Sequence, residues 1–215
     1  MITSPVIKKL PTAFVLQLID CRDETYQHQF FVSTGFHIMG IITKELFQQT
    51  DFLATLGADA EYLFWVGCAG SFEEEGRRTA RAFARLLAAA GVDFAVLGTE
   101  EKCCGDAARR LGHEYLFQSL AAETIETLAR HKVRKILTTC PHGYNAFRNE
   151  YPRLASSLAS LSPEARAHFP PIEIRHHSEF LQELIASGRL KPAPRTGTRI
   201  AYHDPCYLAR HNGLA

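Results

Sequence analysis

The sequence predicts an α/β fold class, a parallel sheet with helices on both faces. Three observations predict it. Short apolar runs of strand length recur at residues 62–66, 93–98, 133–140, 172–177 and 197–203. Between them lie stretches long enough for a helix, the clearest carrying apolar residues along one helical face. Strand and helix alternate regularly, and such alternation returns each strand to the same sheet in parallel.

Residues 1–57 show no such alternation. "VLQLID" and "FFVSTGFHIMGIIT" have strand-like or buried character, and "KELFQQTDFLATLG" reads as a helix ending at Gly57. Regularity begins at "YLFWV", a buried strand that meets a tight loop at Gly67-Cys68-Ala69-Gly70. Ser71 with Glu74 three residues on forms a capping-box pattern for the next helix. That helix gathers Ala80, Phe83, Ala84 and Leu87 on one face and Arg77, Arg78, Arg81 and Arg85 on the other, and Gly91 stops it. The arginines read as a solvated face that could also dock an acidic partner protein.

"DFAVLG" is the second strand and runs into Cys103-Cys104-Gly105. Asp106 is placed to cap a helical stretch that continues to about His131, broken at Gly112, with Tyr115 and Phe117 as core residues. "VRKILTTC" is the third strand, and a helix from Tyr144 to Tyr151 follows, closed by Pro152. "IEIRHH" is the fourth strand; its His176 and His177 are expected to point to opposite faces, and Ser178 to start a helix. "GTRIAYH" is the fifth strand and enters "DPCYLARHNG".

Composition narrows the function. With 215 residues, 46% hydrophobic, the chain can bury a substantial core. A formal net charge of +1 offers no basic face of the kind that nucleic acid requires. No run of apolar residues is long enough to span a bilayer. The late lysines and Pro11 argue against a signal peptide. Six cysteines are too few for a disulfide scaffold and fit a reducing, cytoplasmic compartment with metal-binding thiols. Cys21 stands apart and is read as an incidental thiol.

Cys68, Cys103, Cys104, Cys140 and Cys206 each fall just past an expected strand end. In layered sheets of the Rossmann or flavodoxin-like kind, ligands gather beyond those ends. Thirty-four residues lie between Cys68 and Cys103 and thirty-five between Cys104 and Cys140, about one helix plus one strand each. Four thiolates meeting at one edge make a soft-ligand site for an iron–sulfur cluster or zinc. The adjacent pair suits a cluster, because neighbouring thiolates can reach different irons, whereas zinc takes its pairs two to four residues apart. Gly105 would let backbone approach the inorganic sulfurs, and His142 could hydrogen-bond a cluster sulfur. Two alternatives compete: a zinc-binding or metal-free α/β assembly module, and a direct thiol–disulfide reductase using Cys103 and Cys104.

"VGCAGSF", "CCGDAARRLGHEYLFQ", "ILTTCPHGYNAFRNEYP", "HHSEFLQELI" and "YHDPCYLARHNG" together resemble the cysteine-rich CCG domain of heterodisulfide reductase-related iron–sulfur proteins. Within that group the resemblance is to the oxidoreductase subunits that accompany electron-transfer flavoproteins and acyl-CoA dehydrogenases, and it covers about residues 56–215. The family's repeat runs cysteine, paired cysteines with glycine, then Cys-x-x-Cys, usually twice. The resemblance places Cys68, the Cys103–Cys104 pair and Cys140 in the first repeat, with Gly143 where a further cysteine would stand. Cys206 matches the first position of a second repeat.

This implies a first module over residues 58–196 and the start of a second over 197–215, so the chain is expected to be a truncated fragment. It further implies a [4Fe-4S] cluster, of the ordinary or noncubane kind, on Cys68, Cys103, Cys104 and Cys140. The implied partners are a flavoprotein electron donor, a membrane or ferredoxin-like redox subunit, and a quinone or thiol/disulfide acceptor. The implied location is cytoplasmic, at the membrane surface through a missing region or partner.

Overall fold

The computed structural model describes residues 60–169, 172–193, 197, 199 and 201–214. The expectations for residues 1–57, Cys21 among them, lie outside the described residues. The described chain is mixed α/β and mostly helical around a parallel sheet of β1 (Tyr62–Trp65), β2 (Phe94–Ala95), β3 (Lys135–Thr138) and β4 (Glu173–His176). The strand order is β2-β1-β3-β4. Leu63 of β1 sits opposite Ala95 and Ile136, and Thr138 of β3 sits opposite His176.

The helices are α1 (Gly67–Phe72), α2 (Glu74–Ala89), α3 (Asp106–Arg110), α4 (Glu114–Arg130) and α5 (Pro141–Asn145). They continue with α6 (Tyr151–Ser157), α7 (Pro163–His168), α8 (His177–Ala186) and α9 (Cys206–Asn212). A 3₁₀ turn spans Gly98–Glu100 and a π-helical turn spans Ala146–Glu150. Among the described residues no helix is long and apolar enough to cross a membrane.

β1 reads as an unbroken apolar run because both of its faces are covered. Its alternation sends Tyr62 and Phe64 into one core with Phe83 and Leu87 of α2 and Phe180 and Leu184 of α8. Leu63 and Trp65 enter a second core with Phe117, Ile125 and Leu128 of α4 and Tyr151 of α6. Each fully buried side chain of this size contributes roughly 1.5–3 kcal/mol, so these two clusters anchor the loops beyond β1.

The structure corrects several expectations. Gly67–Gly70 is helix rather than loop: Val66 is already in the helical region and Gly67, at φ 76°, turns the chain straight into α1. Ser71 therefore does not cap α2; its hydroxyl donates to the Gly67 carbonyl at 2.9 Å, and Glu73 is the N-cap. The second strand is short because Gly98, at φ 58°, starts the 3₁₀ turn. Asp106 is the first residue of α3 rather than its cap, which is Gly105.

Pro152 does not close a helix but lies in the first turn of α6. A proline inside a helix lacks the N–H and crowds the carbonyl a turn earlier; the π-helical turn before it widens that spacing. Tyr115 is 80% exposed while Phe117 is buried, as residues two apart on a helix face different ways. Helix α8 begins at His177 with His176 as N-cap, and the change of backbone direction there puts both rings on one side, centroids 4.3 Å apart. The described residues between 197 and 203 form no strand. Those described residues are exposed, Tyr202 at 75%, so they gain little from pairing in a sheet.

Candidate metal centre

Cys68 is the second residue of α1, directly beyond β1. Cys103 and Cys104 lie between the Gly98–Glu100 turn and α3. Cys140 is the N-cap of α5, just after β3. Short helices thus start at every one of these thiols, because each loop turns sharply off the sheet. Cys68 lies near enough to Cys103, and Cys103 to Cys104, for each to perturb the other's ionisation. Cys140 lies near enough to Cys68 for their charges to interact. All of these cysteines are free; Cys68 is exposed, Cys103 and Cys140 half-buried and Cys104 buried.

Crowding and burial favour the protonated form of Cys68, Cys103 and Cys140. Cys68 is raised well above the usual thiol range, first by its hydrogen bond to Cys103 and then by partial desolvation. Cys103 is pushed up to about 11, first by its hydrogen bond to Cys104. Cys140 is raised by burial, against the pull of the Gly143 and His142 backbone N–H groups. A metal needs thiolates, so loading the site must displace protons.

Backbone donors stand ready for the thiolate form. The Gly105 N–H donates to Cys103 Sγ at 3.3 Å. Gly105 is itself at φ 78°, and an added Cβ would lie 2.8 Å from Phe117, so both conformation and packing demand glycine there. Gly67 and Gly143 open toward Cys140: a Cβ on either would sit 3.6 or 3.8 Å from the Cys140 Cβ and 3.9 Å from Trp65.

Buried polar groups hold the loops. Tyr151 donates its hydroxyl to the Cys104 carbonyl at 3.0 Å, and the Cys140 N–H donates to Thr138 Oγ1 at 3.1 Å. Glu101, fully buried, accepts from the Val66 N–H at 3.1 Å and the Gly67 N–H at 2.6 Å. Burial pushes its carboxyl up to about 8, while those two N–H groups pull it down. His142 does not point its Nδ1 at a thiol; it pairs with Asp106 Oδ2 at 2.7 Å. Asp106 also takes the Arg110 guanidinium of its own helix at 3.2 Å, while its contact with His142 joins α3 to α5.

Cys206, exposed, opens α9. That helix is docked on α5 by Tyr207 against the His142 ring, centroids 4.6 Å apart, and by Asn212 Nδ2 donating to Asn145 Oδ1 at 3.2 Å. His176, buried, and His177, half-buried, form a separate pair, with Nδ1 of His177 3.2 Å from Nε2 of His176. Desolvation lowers both to about 4, so they are neutral at pH 7.

Sequence reasoning found the thiols and missed Glu101, Thr138 and Tyr151, and assigned Asp106 a different task. "TEEKCC" reads as an exposed charged loop, and nothing local marks its second glutamate as buried. Its partners are backbone groups 34 and 35 residues away.

The donor set fits an iron–sulfur cluster: neighbouring thiols, backbone N–H groups at the sulfurs, and glycine-lined space beside Cys140. A single zinc about 2.3 Å from each sulfur needs its ligands drawn tightly together. Among the described residues no three His, Cys, Asp or Glu side chains are grouped to hold one metal ion.

The profile of the CCG cysteine-rich domain matches residues 62–148. The chain is 45% identical over 158 residues to the EtfAB:quinone oxidoreductase of Syntrophomonas wolfei, covering 74% of this chain and 20% of that protein. It is 44% identical over 156 residues to the "Probable iron-sulfur-binding oxidoreductase FadF" of Bacillus subtilis, covering 73% and 20%. It is 33% identical over 158 residues to one subunit of the dihydromethanophenazine:CoB–CoM heterodisulfide reductase of Methanosarcina mazei, covering 72% and 36%. The chain therefore spans about a fifth to a third of the length of these relatives. No solved structure matches it.

Proposed function

The chain carries a CCG cysteine-rich domain, and from that premise we propose that it is the cluster-binding part of an electron-transferring iron–sulfur oxidoreductase. The observation that carries this reading is the placement of the thiols: Cys68 just after β1, Cys103 and Cys104 just before α3, and Cys140 just after β3. Relatives named as iron–sulfur or quinone oxidoreductases support it.

In this reading the fold is a flavodoxin-like layered sheet, with its cysteines at the C-terminal strand edge. Cys68, Cys103, Cys104 and Cys140 hold a cluster of the [4Fe-4S] type, which supplies one-electron chemistry when bound. The chain's own part is electrostatic and steric. Thiolates at helix starts are stabilised by the backbone N–H groups that face them. Phe117 and Trp65 wall the protein side and keep water from it. Cys206, on a helix docked against α5, belongs to a second cysteine element beside the first.

The proposed donor is an electron-transfer flavoprotein and the proposed acceptor a quinone or a thiol/disulfide couple. Both follow the names of the relatives. A membrane-bound or ferredoxin-like subunit completes the chain of carriers, and the site works at the cytoplasmic membrane surface.

Anaerobic reconstitution with ferrous iron and sulfide tests this. The expected result is iron and sulfide bound together, with an EPR signal on reduction. The chain's single tryptophan, Trp65, lies beside Cys140 and should lose fluorescence as the cluster forms. Zinc bound in place of iron, or a metal-free chain cycling between dithiol and disulfide, would overturn the reading.

A further inference from the structure

Glu101 is a fully buried carboxylate beside the cysteines, and the proposed ligand set does not use it. Among the described residues it has no cationic partner; its oxygens accept only the Val66 and Gly67 backbone N–H groups, at 3.1 and 2.6 Å. Burying such a group is expensive unless both oxygens are satisfied. A local acceptor would cap the start of α1 without that expense. Val66, however, has no polar side chain, and α1 has no side-chain cap of its own. The acceptor comes instead from a loop 35 residues further along, and that choice couples two segments rather than finishing one helix.

The coupled segments are the two that carry Cys68 and the Cys103–Cys104 pair. Cys68 follows Gly67 directly, and Cys103 lies two residues beyond Glu101. The Glu101 loop is itself pinned to α4 on both sides. Glu100 takes Arg130 at 2.6 Å and His131 at 3.0 Å, and Lys102 pairs with Glu123. With its neighbours fixed outward, Glu101 has one direction left, inward to the turn beyond β1.

We propose that Glu101 is the positioning residue of the cysteine site: its buried carboxylate clamps the Cys68 turn to the Cys103–Cys104 loop and sets the thiols' spacing before any metal arrives. The clamp rests on the reading of these thiols as one site, but not on which metal group they hold. Each Glu101 oxygen accepts one backbone N–H, whereas an amide of equal size accepts on one atom and presents N–H₂ to the other donor. Glu101→Gln therefore keeps the volume and breaks half of the clamp.

The test uses the full chain. In the metal-free protein, diamide oxidation followed by peptide mapping measures the rate at which the Cys68–Cys103 disulfide forms. Glu101→Gln should slow it about tenfold, the upper worth of one hydrogen bond. In the iron-loaded protein the same variant should shift the EPR g-values of the reduced cluster. A role in stability alone would lower the melting temperature and leave both readouts as in the parent. A parent-like disulfide rate together with unchanged g-values in folded Glu101→Gln overturns the clamp.

Should the variant fail to fold, hydrogen exchange on the parent decides. Protected Val66 and Gly67 amides in the metal-free chain support a preformed clamp, and freely exchanging ones overturn it. If the chain takes up no iron, the cluster reading fails, while the disulfide rate and amide exchange still judge the clamp.

Discussion

Gly143 and Gly105, each close in sequence to a cysteine of the site, have different roles, and the difference can be measured. Gly143 lies inside α5 with ordinary backbone angles, and an added Cβ would meet its nearest neighbours at 3.8–3.9 Å. Gly143→Ala should raise stability by about 0.5–1 kcal/mol in urea unfolding, as alanine does inside a helix. Gly105→Ala should instead cost roughly 2–4 kcal/mol, since it adds left-handed strain to a clash with Phe117. Equal effects at the two positions would contradict the geometry. These glycines were legible in the sequence only as neighbours of cysteine. Gly105 was expected to serve the cluster, and its first duty is to turn the chain over Phe117. Glu101 was not legible at all, because its burial depends on a turn folded from a distant segment.

The junction of β4 and α8 carries the clearest pH dependence. His176 caps α8: its N–H donates to the Glu179 carboxylate at 3.2 Å, and its ring packs on His177. Both imidazoles are lowered from 6.5 to about 4 by desolvation, so the folded chain binds fewer protons than the unfolded chain between those values. Stability should then be full above pH 6.5 and fall as the pH drops towards 4. His176 alone accounts for on the order of 3 kcal/mol over that window. His177→Gln should roughly halve the slope of unfolding free energy against pH, and an unchanged slope would remove the pair from the account. The sequence marked this place as a strand followed by a helix but put the helix start at Ser178. A histidine N-cap carries no strong local signal, and the capping-box glutamate is read correctly only once the cap is known. Helix α1 was missed for a related reason: its cap comes from Glu101, outside any local window.

At the scale of the whole molecule, the sheet order β2-β1-β3-β4 sets β1 and β3, the strands that lead into Cys68 and Cys140, side by side. Much of this was visible beforehand, since the first four strands and the breaks at Gly91 and Gly112 follow from apolar runs and turn residues. The described residues of the expected fifth strand, "GTRIAYH", form none, and they are exposed. The π-helical turn that lets the chain pass Pro152 is also a packing outcome, fixed by Phe147 and Tyr151 in the second core. Trp65 ties that core to the cysteines, so cluster loading and global folding should report through the same side chain. The central claim is that Cys68, Cys103, Cys104 and Cys140 together hold one iron–sulfur cluster. Its most direct test is iron and sulfide content, with EPR, across six single Cys→Ser variants reconstituted anaerobically. The account predicts that iron collapses in Cys68→Ser, Cys103→Ser, Cys104→Ser and Cys140→Ser and persists in Cys21→Ser and Cys206→Ser. Unchanged iron and an unchanged EPR signal in Cys104→Ser would contradict it.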